Sequence, residues 1–114
     1  MSTLTAILIT RNEQDNLDRC LRSVFWSHEI VVVDSGSTDR TREIALSYKA
    51  NFYPEEWKGY TAQKNSALDK ASSEWILSID ADEELPPETQ QKIQEIVREN
   101  GRDIDRYFFR RKVF

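Results

Sequence analysis

Apolar and polar positions fall into alternating blocks along this chain, and the period changes from block to block. Residues 4–9, LTAILI, are apolar and β-rich, and they stop at the polar group Thr10, Arg11, Asn12 and Glu13. Leu17, Cys20, Leu21, Val24 and Phe25 then recur at helical spacing, with Asp15 placed to cap the helix they predict. EIVVVD is a short, nearly unbroken apolar run, the pattern of a strand covered on both faces of a parallel sheet. After the turn SGSTD, a second helical stripe carries Thr41, Ile44, Ala45 and Tyr48. ANFYP reads as a third strand closed by Pro54, and residues 60–71 as a third helix with Tyr60, Ala67, Leu68 and Ala71 together. EWILSID is the fourth strand. Pro86 and Pro87 suit the first turn of a fourth helix whose Ile93, Ile96 and Val97 face inward, and Gly101 ends it. RYFFRRKVF begins another strand.

Strand and helix alternating four times predict an α/β fold, a mostly parallel sheet with helices on both faces. Internal repeats, low-complexity tracts and linkers are absent, so residues 1–114 read as one domain. In such sheets ligands collect outside the carboxyl ends of the strands, where strand order reverses. That rule gathers TRNE, DSGSTD and DAD, three polar strand ends from distant parts of the chain, on one edge.

Composition narrows the function classes. With 16 basic and 20 acidic residues the net charge is −4, which argues against nucleic acid as the main partner. One cysteine, Cys20, rules out an internal disulfide framework and suits a reducing compartment; its apolar neighbours predict a buried, inert thiol. The longest strongly apolar run, Ile30 to Val33, is far short of the ~20 residues of a spanning helix, and the N-terminus has no signal-peptide pattern. A cytoplasmic chain is expected, with any membrane association peripheral.

The stretch WILSIDADEEL carries an apolar strand into four carboxylates within five residues. Residues two apart on an extended chain point the same way, so Asp80 and Asp82 face one direction across the small Ala81. Two carboxylates so placed repel unless a cation or shared proton compensates. A hard divalent ion such as Mg2+ or Mn2+ would do so, completing its shell with phosphate oxygens and water. The plainer alternative is a solvated strand end beside an acidic helix N-terminus, which accounts well for Glu84 and Glu88.

In VVVDSGSTDRT, Gly36 permits a tight turn, Ser37 or Thr38 can cap the next helix, and Asp39 suits its first turn. Asp34, ending a buried strand, could accept hydrogen bonds from a base or ribose. Neither glycine-rich phosphate-loop spacing is present, which counts against a dinucleotide enzyme and a P-loop kinase. Arg11 and Lys64 are the positive groups near this edge, and Trp57 and Tyr60 could shape a pocket there; His28 has no visible partner. A receiver-like signalling domain would need an acid ending the third strand, and NFYP offers none.

AILITRNEQDNLDRCLRSV, EIVVVDSGSTDRT, AQKNSAL and WILSIDADEEL, in this order and spacing, resemble the N-terminal half of family 2 glycosyltransferases, closest to the bacterial lipopolysaccharide core β-glucosyltransferase branch. The resemblance covers nearly the whole chain. It implies a GT-A fold truncated after the D-x-D region, a nucleotide-sugar donor (a UDP-sugar) and a saccharide acceptor, glycan or lipid-linked. By the same resemblance, Thr10, Arg11, Asn12 and Glu13 would line the nucleotide pocket, Asp34 would meet the base, and Lys64 would approach the phosphates. Asp80 would lie by the ribose, and Asp82, with Asp80, would hold Mn2+ or Mg2+. Ser35 departs from the paired aspartates of the wider family and agrees with the DSGS form of this branch.

The chemistry implied is inverting displacement at an anomeric carbon, with a carboxylate base activating the acceptor. In the resembling enzymes that base follows RYFFRRKVF, so the catalytic residue is expected outside this chain, Glu83 being an imperfect stand-in. The other reading is a nucleotide-binding module without turnover. The tail YFFRRKVF could pair with a second copy as an open strand edge, giving a homodimer.

Overall fold

The computed structural model describes residues 3–99 and the strand at 108–110. The first strand, β1 (Leu4–Thr10), is followed by α1 (Leu17–Val24), β2 (Glu29–Asp34), α2 (Thr41–Ser47) and β3 (Asn51–Pro54). Then come α3 (Tyr60–Lys70), β4 (Trp75–Ser78), α4 (Pro87–Glu99) and β5 (Phe108–Arg110). The strands make one sheet in the order β3-β2-β1-β4-β5. All neighbours are parallel except β5, which runs antiparallel to β4 and pairs Phe109 with Ile76. At 108–110 the segment expected to offer an open edge pairs with β4 and forms the outermost strand of the sheet. Gly101, expected to end the fourth helix, lies outside the described residues.

Period-two patterning decides which face each strand residue serves. Leu4, Ala6 and Leu8 of β1, Ile30 and Val32 of β2, and Trp75 and Leu77 of β4 share one core with Leu17, Cys20, Leu21 and Val24 of α1. Ala45 of α2 and Ile93 and Val97 of α4 close that layer. Ile7, Val31, Val33 and Ile76 look the other way, onto Ala67 and Ala71 at the α3 side. Helices therefore cover both faces, which is why β1, β2 and β4 read as continuous apolar runs. Full burial of a leucine such as Leu21 stabilises by about 1.5–3 kcal/mol.

Several local devices differ from those expected. Asp15 caps nothing; Asn16 and Leu17 donate their N–H groups to the Glu13 carbonyl at 3.1 and 2.9 Å, which fixes the start of α1. The N-cap of α2 is Arg40, whose side chain makes no capping bond; the residue before it, Asp39, accepts from the Thr41 N–H on Oδ1 at 2.9 Å, and so serves the helix start in place of Ser37 and Thr38. His28 does have a partner: its Nδ1 accepts from the Leu4 N–H at 3.1 Å and ties off the start of β1. Tyr60 is 57% exposed and stands off the buried stripe of α3.

The chain runs outward from β1 through β2 to β3, then returns to place β4 on the opposite side of β1. Strand order reverses there, and the carboxyl ends of β1 and β4 part to leave a cleft.

Candidate donor site

The cleft has a volume of about 340 Å³. Its walls come from the end of β1 (Ile9, Thr10, Arg11, Glu13), from Ser35 after β2, from Trp57, Tyr60 and Gln63 around the start of α3, and from Asp80, Ala81 and Asp82 after β4. Of the residues singled out in the sequence, Thr10, Arg11, Glu13, Asp80 and Asp82 meet here, and Trp57 and Tyr60 join them. Asn12, Asp34 and Lys64 do not line the cleft, each for a definite reason.

Asn12 is turned to the neighbouring loop. Its backbone adopts φ 52°, its Oδ1 accepts from the Thr38 N–H at 2.8 Å, and its own N–H donates to Ser37 Oγ at 2.8 Å. Glu13 and Gln14 continue this zipper, donating backbone N–H groups to Thr41 Oγ1 at 2.8 Å and Asp39 Oδ2 at 3.2 Å. The loop after β1 is thereby fastened to the loop after β2, which holds Arg11 and Ser35 in one wall.

Asp34 is only 3% exposed and its acceptor capacity is used internally. Oδ1 accepts from Thr10 Oγ1 at 2.6 Å and Ser37 Oγ at 2.5 Å; Oδ2 accepts from the N–H groups of Gly36 at 3.1 Å and Ser37 at 2.8 Å. Gly36 takes φ 89° inside this turn, a conformation that side chains resist. Asp34 therefore shapes the turn, and the residue facing the cleft is Ser35.

Lys64 lies behind the acidic turn. Nζ donates to Ser78 Oγ at 2.7 Å and sits 3.7 Å from Asp80 Oδ1, with the side chain only 17% exposed. Burial pulls its ammonium below the ordinary lysine value, and the Asp80 carboxylate opposes that shift. The ammonium also stands 5.7 Å from the centre of the Tyr60 ring.

The acidic turn lies just beyond the end of β4, yet the alternation persists: Ile79 and Ala81 are buried, Asp80 and Asp82 exposed. Helix α1 clamps this turn. Cys20 Sγ donates to the Asp80 carbonyl at 3.5 Å, Ser23 Oγ accepts from the Leu85 N–H at 3.0 Å, and Arg19 pairs with Glu84 at 3.6 Å. Glu83 folds back so that its Oε1 accepts from the Asp80 N–H at 2.9 Å, which engages the carboxylate considered as a stand-in base. Burial first, then the carboxylates of Glu83, Asp80, Asp82 and Glu13, push the Cys20 thiol up to about 12. The sequence expectation of an inert thiol agrees with its full burial.

Donor chemistry sets what the acids can hold. Asp80 and Asp82 offer hard oxygens to the cleft, and the Asp80 side chain is 52% exposed. No group of three or more His, Cys, Asp or Glu forms a complete metal cage among the described residues. Two carboxylates suit a divalent ion that completes its shell from a diphosphate and water.

Missed by sequence reasoning were Ser35 and Gln63. Gln63 breaks the apolar spacing it shares with Ala67 and Ala71, and that break is the available signal.

A mostly parallel sheet with its polar cleft at the order reversal, flanked by a turn holding two aspartates, defines the chain as an α/β protein of the GT-A glycosyltransferase fold. It belongs to glycosyl transferase family 2, whose family model matches residues 5–112. The lipopolysaccharide core biosynthesis glycosyltransferase LpsC of Rhizobium meliloti (strain 1021) is 39% identical over 99 residues, covering 82% of this chain and 37% of LpsC. S. aureus TarS 1–349 in complex with UDP-GlcNAc superposes with TM-score 0.69 at 27% identity, over 85% of this chain and 31% of that one. The mannosyltransferase PcManGT from Pyrobaculum calidifontis, in complex with GDP-Man and Mn2+, gives TM-score 0.65 at 27% identity, over 75% and 29%. The chain thus spans about a third of the length of these relatives. No helix among the described residues is long and apolar enough to cross a membrane.

Proposed function

We propose that residues 1–114 form the donor-binding part of an inverting glycosyltransferase that takes a UDP-sugar and serves a saccharide acceptor of the lipopolysaccharide-core kind. One observation carries the reading: Asp80 and Asp82 share a single cleft with Thr10, Arg11 and Ser35, at the reversal point where α/β sheets bind ligands. The UDP-GlcNAc in the TarS complex and the core-biosynthesis role in the name of LpsC supply the donor and acceptor classes.

In this reading Asp82, with Asp80, holds Mn2+ or Mg2+, as the Mn2+ in the PcManGT complex suggests. A divalent ion there would neutralise charge developing on the departing diphosphate. Arg11 adds positive charge at the same wall, and Trp57 offers a ring face for stacking on a base. Lys64 acts through Asp80, which it orients from behind, and Asp34 acts through the turn that presents Ser35. None of the described residues is assigned as the base that deprotonates the acceptor.

Titration calorimetry of UDP with and without Mn2+ tests the proposal. Micromolar binding that tightens at least tenfold with the metal is expected. Equal affinity in both conditions would remove the metal role, and no binding in either would sink the reading.

A further inference from the structure

Gln63 is fully buried in the wall of the cleft, and half of its carboxamide is unaccounted for. Oε1 accepts from the Lys58 N–H at 3.2 Å, which fixes which end of the amide is oxygen. Nε2 has no hydrogen-bond partner among the described residues, and its own exposure is negligible. A buried donor left unmade is costly and uncommon in folded proteins, so an uncompensated one points to an absent acceptor.

The position of Gln63 selects that acceptor. Tyr60 and Lys64 lie four apart on α3 and both approach Asp80 or its partner lysine. At about 100° per residue, Gln63 stands beside Tyr60, about 60° round the helix from it, on the flank of that stripe opposite Lys64. Its Oε1 accepts from the N–H of Lys58, the residue directly after Trp57, which ties the amide to the segment that carries Trp57, and Trp57 and Ser35 line the cleft side by side. Trp57 is 55% exposed there, an apolar ring face left open to a flat partner.

Resting on the nucleotide reading above, we propose that Gln63 Nε2 donates to a carbonyl oxygen of the pyrimidine base and so helps set base specificity. A buried donor aimed at a ring carbonyl rejects ligands that lack the acceptor, because the amide is then left unpaired again.

The test compares UMP with ribose 5-phosphate, in the full chain and in two variants, by calorimetric competition. Gln63→Met keeps the length and removes the donor; Gln63→Glu keeps an oxygen for Lys58 and turns the donor into an acceptor. Both should weaken UMP at least tenfold and leave ribose 5-phosphate within twofold, with melting temperature as the check on folding. Unchanged UMP affinity, or equal losses for the two ligands, overturns the base contact. Should both variants fail to fold, the unaltered chain decides with the 2-thio and 4-thio analogues of UMP. One of them must bind at least fivefold more weakly; parity of both with UMP overturns the proposal. If the unaltered chain binds no UMP, the nucleotide reading falls and this inference with it. UMP binding that ignores Gln63 removes this inference alone.

Discussion

Lys64 Nζ lies 3.7 Å from Asp80 Oδ1, and of the two it is the lysine that is buried, 17% exposed against 52%. The pair joins α3 to the acidic turn after β4. Replacing Lys64 with Met should leave the fold intact, since an apolar chain fills a largely buried channel, but should release Asp80. UDP affinity in the presence of Mn2+ is expected to fall about tenfold by calorimetry, near 1.4 kcal/mol. Lys64→Arg should not restore it, because a planar guanidinium does not reproduce the compact contact with Ser78.

Asp82→Asn should abolish the Mn2+-dependent part of UDP binding and leave thermal stability unchanged or slightly raised. Removing one carboxylate from a turn crowded with acids relieves repulsion. Retained Mn2+ dependence in that variant would deny Asp82 its metal role.

Asp34→Ala should unfold the chain more easily. It strips the acceptor from two hydroxyls and two backbone N–H groups at once, a loss of about 3 kcal/mol in urea denaturation. A residue serving only the ligand would leave the unfolding midpoint where it was.

Glu55 offers a pH test. Hydrogen bonds from Lys70, Ser66 and Lys58 hold its carboxyl down at about 2. A depressed carboxylate contributes its stability above the unfolded value near 4.3 and loses it as pH falls toward the folded value. The melting-temperature gap between the chain and Glu55→Gln should therefore be constant above about pH 5 and close between there and pH 2.

Cys20, buried and with its thiol pushed up to about 12, should resist a disulfide-exchange reagent at pH 8 in the folded chain and react fully in denaturant.

Element order was legible because β1, β2 and β4 are buried on both faces and α1 keeps a clean apolar stripe. The acidic turn was legible for the same reason, since the buried Ile79 and Ala81 force Asp80 and Asp82 outward. What local spacing does not reveal is where polar side chains between strands spend their hydrogen bonds. Asn12, Asp34 and Asp39 look like ligand contacts or dipole partners in sequence, yet they knit two loops about 25 positions apart. Ser37, Thr38 and Asp39 are all competent caps, and only the path of the turn chooses among them. Lys64 is legible as a cation near the site but not as one hidden behind Asp80, because that depends on where α3 crosses β4.

The reversal of strand order beside β1 governs how the cleft comes into being. Thr10 closes the first strand and Asp80 follows the fourth, so no single βαβ unit contains both walls. An intermediate holding only the first two strands has Thr10, Arg11 and Ser35 but lacks the opposite wall with Asp80 and Asp82. Affinity thus belongs to the finished sheet, and a bound nucleotide would raise the free energy of global unfolding while leaving the fraying of outlying helices untouched.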